Sequence, residues 1–211
     1  MSYEEQIVQL RQRLQQPLPG FAAQERMIGR LISMPPKVPA DARPSAVLCL
    51  LFPVDGALHM LLMKRMEDNT AHSGQVSFPG GRYEESDADF KATALREANE
   101  EVGILSGEVE ILGALTSLYI PVSNFNVYPF VGFAAKQPEY NLSHAEVAYT
   151  LEVPLSELFH PQRKTITEVR SPKFPDMVRE VNAYVLEDKT VIWGATAMII
   201  SELEVLMEGL G

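Results

Sequence analysis

The sequence predicts an α/β sandwich, and three observations carry that reading. A continuous apolar run, Ala46 to Phe52, has the length and composition of a strand buried on both faces. Two helix-period segments stand apart from it, one at about residues 87–102 and one from Gly194 to Glu208. Further strand-like pieces fall near 109–119, 125–135, 147–153, 164–170 and 178–187. Strands interleaved with a few helices must bury both kinds of apolar face in one layered core.

The elements follow in order. Residues 3–15 form a polar, glutamine-rich helix whose Ile7, Leu10 and Leu14 share one stripe, and Pro17 and Pro19 end it. A second short helix at about 22–32 leads into the extended connector Met34-Pro35-Pro36-Lys37-Val38-Pro39. After the buried strand, Asp55-Gly56 is a turn, and Leu58 to Lys64 is the returning hairpin strand. Gln75 to Phe78 is strand-like and runs into Pro79-Gly80-Gly81. The closing helix carries Ala197, Ile200, Leu203, Leu206 and Leu210 at helical spacing. At 211 residues the chain is most simply one domain, 1–211, with residues 1–40 as a helical extension and proline-rich connector.

Composition narrows the function. Hydrophobic content of 46% and charged content of 22% are ordinary for a soluble globular chain. With 28 acidic against 18 basic residues, the net charge of −10 argues against a nucleic-acid backbone as partner. Cys49 is the one cysteine, which excludes an internal disulfide or a cysteine metal cluster, and its apolar surroundings predict a buried thiol. No signal segment or long apolar span is present, so the expected location is cytoplasmic and no membrane partner is expected.

The chemistry concentrates in Arg96-Glu97-Ala98-Asn99-Glu100-Glu101-Val102-Gly103. At about 100° per residue, Glu97, Glu100 and Glu101 fall within an arc of about 100°. Ala94, Leu95, Ala98 and Val102 supply the packing side. Asp87 or Ser86 is the candidate N-cap, and Gly103 suits the C-terminal left-handed position. Like charges at these spacings cost an isolated helix roughly 0.2–0.5 kcal/mol per pair. A solvated acidic face tolerates that cost; a bound cation removes it. The preceding Phe78-Pro79-Gly80-Gly81 favours the cation, because adjacent glycines let backbone groups approach a ligand closely.

Gly81, five residues, Asp87, eight residues and then Arg96 to Ile104 resembles the Nudix box, about residues 81–104. The usual box has Glu at the position of Asp87 and one residue fewer before the arginine. Several further segments resemble the coenzyme A diphosphatase branch of that family. They are Leu61-Leu62-Met63-Lys64-Arg65, His72 to Gly81, Thr93 to Ala98, Pro129 to Gly132, Glu146-Val147, Val153-Pro154-Leu155 and Ile192 to Ala197. That branch usually carries an arginine where this chain has Thr70. The resemblance spans roughly residues 45–200 and implies a mixed sheet between helices.

It also implies roles. Glu97, Glu100 and Glu101, with the Gly81 carbonyl, would hold Mg²⁺, or Mn²⁺ in its place; hard cations prefer such oxygen donors. Glu97 would stand near the attacking water, with Arg96 orienting it through a charge-assisted hydrogen bond. Glu146 is the candidate for a further carboxylate from a later loop, with Glu139 and Glu152 competing. Arg65, His72 and Arg82 are candidate substrate contacts, and Lys64 lies beside them; each has an ordinary structural or solvated alternative. His144 is either a proton shuttle or an exposed loop histidine. Trp193 is expected to pack structurally, and Met60, Met63 and Met66 to fill core and edge. The implied reaction is hydrolysis of the diphosphate of coenzyme A or an acyl-coenzyme A to 3′,5′-ADP and 4′-phosphopantetheine or its acyl form. The alternatives are another nucleoside diphosphate derivative such as ADP-ribose, or a nucleotide-sensing module without turnover. Homodimer formation stays open.

Overall fold

A computed structural model describes residues 1–28, 34–67, 72–171 and 174–210. Thr70, where the branch's arginine would stand, lies outside the described residues, as does the end of the expected second helix. Helix α1 (Tyr3–Arg13) opens with a capping box: Ser2 Oγ accepts from the Glu5 amide while the Glu5 carboxylate accepts from the Ser2 amide. Next comes α2 (Phe21–Gln24), continued by a 3₁₀ turn at Glu25–Met27. It is shorter than the 22–32 expected, because Ile28 already has extended backbone.

Strands β1 (Arg43–Val54) and β2 (Ala57–Arg65) make the predicted hairpin. Its turn needs two left-handed residues in succession, supplied by Asp55 (φ 49°) and Gly56 (φ 80°). Short strands β3 (Val76–Ser77) and β4 (Gly80–Arg82) follow, then α3 (Phe90–Val102). The expected strand at 109–119 is two strands, β5 (Glu110–Ala114) and β6 (Leu118–Ile120). The break has a physical cause: the Thr116 amide and hydroxyl turn aside to the buried carboxylate of Glu202. Strands β7 (Phe125–Phe133) and β8 (Val147–Pro154), helix α4 (Leu155–Leu158), strands β9 (Lys164–Ser171), β10 (Phe174–Val185) and β11 (Val191–Trp193), and helix α5 (Gly194–Met207) complete the order.

Eight strands form a mixed sheet with the path β3-β2-β1-β7-β5; β4 pairs with β1, β6 with β7 and β8 with β2. Strands β1 and β7 run parallel and the remaining pairs antiparallel. The smaller sheet is β11-β10-β9. Because successive side chains alternate across a strand, β1 feeds two cores. Leu48, Leu50 and Phe52 pack with Ala94, Ala98 and Val102 of α3, whereas Cys49 and Leu51 pack with Leu10 of α1 and Ile200 and Leu203 of α5. The apolar run Ala46 to Phe52 is therefore covered on both sides, which explains its lack of alternation. Met60 and Met63 are buried, on opposite cores, and Met66 is partly exposed. The layers are helix, sheet, helix, an α/β sandwich. No helix among the described residues is long and apolar enough to cross a membrane.

Candidate functional site

The glycine turn is fixed by backbone crowding. Gly80 has φ 156°, and a Cβ there would sit 2.4 Å from the Ala46 carbonyl oxygen and 2.7 Å from Val47 Cα. Neither is a side chain that can swing away, so only glycine lets β4 lie against β1. At Gly81 a Cβ would fall 2.5 Å from Glu97 Oε1 and 2.6 Å from Oε2. The missing side chain thus allows a carboxylate to press against the backbone of the turn.

Helix α3 aims its acids at that turn. Its N-cap is Asp89, whose side chain accepts from the Ala92 amide at 2.8 Å; neither Asp87 nor Ser86 takes the position. Asp87 is drawn elsewhere. Both its oxygens accept from Arg96, Oδ1 from Nε at 2.9 Å and Oδ2 from Nη2 at 3.0 Å, a bidentate pair. Oδ2 also accepts from Thr93 Oγ1 and the Glu84 amide. The helix ends at Gly103, left-handed at φ 79°, where a Cβ would meet the Asn141 amide nitrogen at 2.7 Å.

Arg96 is the hub. Besides Asp87 it donates to the Arg82 carbonyl at 2.9 Å, and Nη1 donates to Glu97 Oε1 and Glu100 Oε2, each at 3.0 Å. Its pairing with Asp87 holds the Asp87 carboxyl well below the usual range and the guanidinium proton more firmly than usual. Glu101 is almost wholly buried: Oε2 accepts from the Gly80 amide at 2.8 Å and Oε1 faces Arg65 Nη1 at 3.3 Å. Burial pushes its pKa up to about 7, with Gly80 and Arg65 opposing and the charges of Glu97 and Glu146 adding to the rise. Glu97 is raised for the same main reason, burial, against the pull of Arg96 and with repulsion from Glu100 and Glu146. Glu100 is the exposed member.

Glu146 stands on the loop that follows β7, and its charge acts on Glu97 and Glu101. That loop is tied to the end of α3: the Asn141 amide donates to the Val102 carbonyl, and the Ser143 amide to Glu101's. The Glu146 carbonyl accepts from the Met66 amide at 2.8 Å, next to Arg65. Glu146 and Glu139 are both exposed and Glu152 is occupied by Tyr140 and Gln137; of the three, Glu146 is the one whose charge acts on Glu97 and Glu101. His72 Nδ1 lies 3.3 Å from Gln75 Oε1, a contact within its own loop. The Arg82 side chain is exposed, and it is the Arg82 backbone carbonyl that accepts from Arg96. His144 is exposed.

Each of these acids already has a donor partner or faces solvent, and no set of three or more His, Cys, Asp or Glu among the described residues is spaced to grip an ion. What the arrangement does provide is a concentration of carboxylates, two of them shielded from water, around a half-buried glycine turn. The sequence did not reveal Asp87 as the clamp on Arg96; the signal was its place nine residues ahead, too far apart for a helix neighbour and legible only once the loop folds back.

The clamp carries a pH signature. A carboxylate whose folded pKa is depressed adds stability at pH values above its unfolded pKa, about 3.9 for aspartate, and loses it as pH falls below that. Asp87→Asn should therefore lower the melting temperature at pH 7 by roughly 2–8 °C, from about 1–2 kcal/mol of lost pairing. The gap to wild type should narrow at pH 3. Melting curves at both pH values check this; a gap that widens in acid contradicts the clamp.

The NUDIX domain family matches residues 42–185. The uncharacterized Nudix hydrolase NudL of Pectobacterium atrosepticum is 33% identical over 188 residues, covering 89% of this chain and 95% of the relative. A relative of the same name from an Enterobacter species is 39% identical over 144 residues, covering 68% and 72%. Among solved structures, a MutT/nudix family protein from Enterococcus faecalis aligns with TM-score 0.51 and 15% identity over 96% of this chain and 73% of its own, a likeness of fold alone. With its domain matched and relatives aligned along most of its length, this chain belongs to the Nudix hydrolase family of enzymes.

Proposed function

We propose that the protein is a divalent-metal-dependent diphosphatase of coenzyme A or acyl-coenzyme A, releasing 3′,5′-ADP and 4′-phosphopantetheine or its acyl form. The observation that carries the substrate assignment is the stretch Leu61 to Arg65 with His72 to Gly81, which resembles the coenzyme A branch and goes beyond the general box. In the fold these segments are β2, the loop before β3, and the glycine turn, so they border the acidic helix directly. We take residues 1–211 as one catalytic unit, acting in the cytoplasm, with no nucleic acid or membrane partner and Mg²⁺ or Mn²⁺ as cofactor.

The donor set suits a hard cation: carboxylate oxygens from Glu97, Glu100, Glu101 and Glu146, and a carbonyl from Gly81. Burial and mutual repulsion already disfavour the charged forms of Glu97 and Glu101, a penalty that a positive ion offsets. When bound, divalent ions supply a water made nucleophilic near neutral pH and offset charge on the phosphoryl oxygens. The chain's own residues do the rest. Glu97 holds the attacking water and accepts its proton, and Arg96, fixed by Asp87, sets the carboxylate's direction. Arg65, His72 and Arg82 are assigned to the anionic substrate. Glu100, the exposed member, would turn from Arg96 toward the ion, while Glu97 would keep its Arg96 bond through Oε1 and offer Oε2; Arg96 keeps Asp87 and the Arg82 carbonyl as partners.

Incubation with Mg²⁺ and a panel of coenzyme A, ADP-ribose, NADH and diadenosine polyphosphates tests the assignment. Coenzyme A is expected to be the preferred substrate. A panel in which ADP-ribose turns over faster than every coenzyme A species removes the substrate assignment and leaves the hydrolase family standing.

A further inference from the structure

A cavity of about 400 Å³ opens on the other side of β2, and none of Arg96, Glu97, Glu100, Glu101 or Glu146 lines it. Its size lies within the range of small-molecule pockets, about 300–1,000 Å³. Lys64, Arg170 and Lys189 line it, with Gln75, Tyr149 and Trp193. Asp188 also lines it, and its Oδ1 accepts from the Thr190 amide at 2.8 Å. Three cations against one carboxylate reverse the local charge of a protein whose net charge is −10.

Those cations come from three different places: β2, β9 and the β10–β11 turn. None of them makes an ion pair or side-chain hydrogen bond among the described residues. Convergence of unpaired cations leaves mutual repulsion that an anion relieves. The turn itself is costly. Lys189 stands at φ 72°, where a side chain is rarely found, held by the Leu186 amide to the Thr190 carbonyl and its own amide to the Leu186 carbonyl. Tyr149, about half exposed, and Trp193 add flat apolar surface beside the charges.

We propose that this cavity is a binding site for a nucleotide-type anion, a sugar phosphate monoester that also carries an aromatic base. Lys64, Arg170 and Lys189 hold the phosphate, and Tyr149 and Trp193 take the ring. Such a group reaches the cavity either as the far end of the molecule being hydrolysed or as a separate nucleotide. On β2 successive side chains face opposite sides, so Lys64 lines the cavity while Arg65 touches Glu101.

Trp193 is the one tryptophan in the chain, so its fluorescence reports this cavity without turnover. Adenosine 3′,5′-bisphosphate is titrated into the metal-free full-length protein, with adenosine as the uncharged control. A saturable change in Trp193 emission is expected for the bisphosphate and none for adenosine at the same concentrations. Arg170→Gln and Lys189→Asn, the latter keeping a residue tolerant of the left-handed turn, should each weaken binding about tenfold, as expected for one charged contact. Glu101→Gln should leave it unchanged, which separates failure here from failure of the hydrolytic assignment. A raised KM for coenzyme A in both variants, at constant kcat, identifies the substrate's own far end as the ligand; an unchanged KM with weakened bisphosphate binding identifies a separate nucleotide. An emission that does not saturate, or equal affinity in wild type and both variants, overturns the site.

Discussion

Glu101→Gln will cut turnover of the diphosphate substrate at least about a hundredfold while leaving the fold intact, and Glu100→Gln will do the same. The size follows from removing one preorganised charge from a site whose work is electrostatic, where single-group losses run to about 10²–10³. The two positions test different things. At Glu101 an amide oxygen can still accept from the Gly80 amide, so the turn keeps its tie to α3. Burial works against a charged Glu101, so neutralising it should leave the melting temperature level or raise it. Glu100 is exposed, and its loss costs only one surface contact to Arg96. Rate and stability should therefore part company in both variants. Wild-type rates at saturating Mg²⁺ with unchanged melting curves would show that neither carboxylate is a ligand.

Glu202→Ala makes the opposite separation, losing stability with no direct loss at the acidic site. Glu202 lies on α5 with no exposed surface, and no basic side chain pairs with it among the described residues. Its oxygens accept from the Gly20 amide at 3.1 Å, Gln24 Nε2 at 2.9 Å, the Thr116 amide at 3.2 Å and Thr116 Oγ1 at 2.6 Å. One carboxylate thus ties α2 and the β5–β6 break to the last helix. Alanine leaves those donors buried without an acceptor, at about 1–3 kcal/mol each where water cannot reach. A total of about 3 kcal/mol corresponds to a drop of roughly 6–12 °C in melting temperature for a chain of this size. Scanning calorimetry of Glu202→Ala beside Glu202→Gln, which keeps one acceptor oxygen, decides it. A drop below about 2 °C in the alanine variant would mean that water replaces the carboxylate.

Glu202 also shows where the sequence was mute. It sits with Glu204 in an otherwise apolar helical pattern, and only the fold reveals that three distant backbone segments meet at Glu202. Local pattern did better wherever the cause was local. The both-faces burial of Ala46 to Phe52, the Asp55-Gly56 hairpin and the left-handed Gly103 stop each follow from residues within a few positions. The acidic arc on α3 was legible for the same reason. The helix start was misplaced because Asp87 and Asp89 are equally good caps by type, and Arg96, a tertiary partner, claims the first. Lys64, Arg170 and Lys189 are far apart in sequence, so their shared cavity was invisible until β2, β9 and the last turn were assembled.

The measurement closest to the central claim is the fate of solvent oxygen. Coenzyme A and Mg²⁺ are incubated with the protein in ¹⁸O-enriched water and the products weighed by mass spectrometry. Hydrolysis at the diphosphate predicts 3′,5′-ADP and 4′-phosphopantetheine in equal amounts, with one ¹⁸O in the phosphate of one of them. Intact coenzyme A after prolonged incubation, or products cleaved elsewhere with no label in either phosphate, would contradict the account.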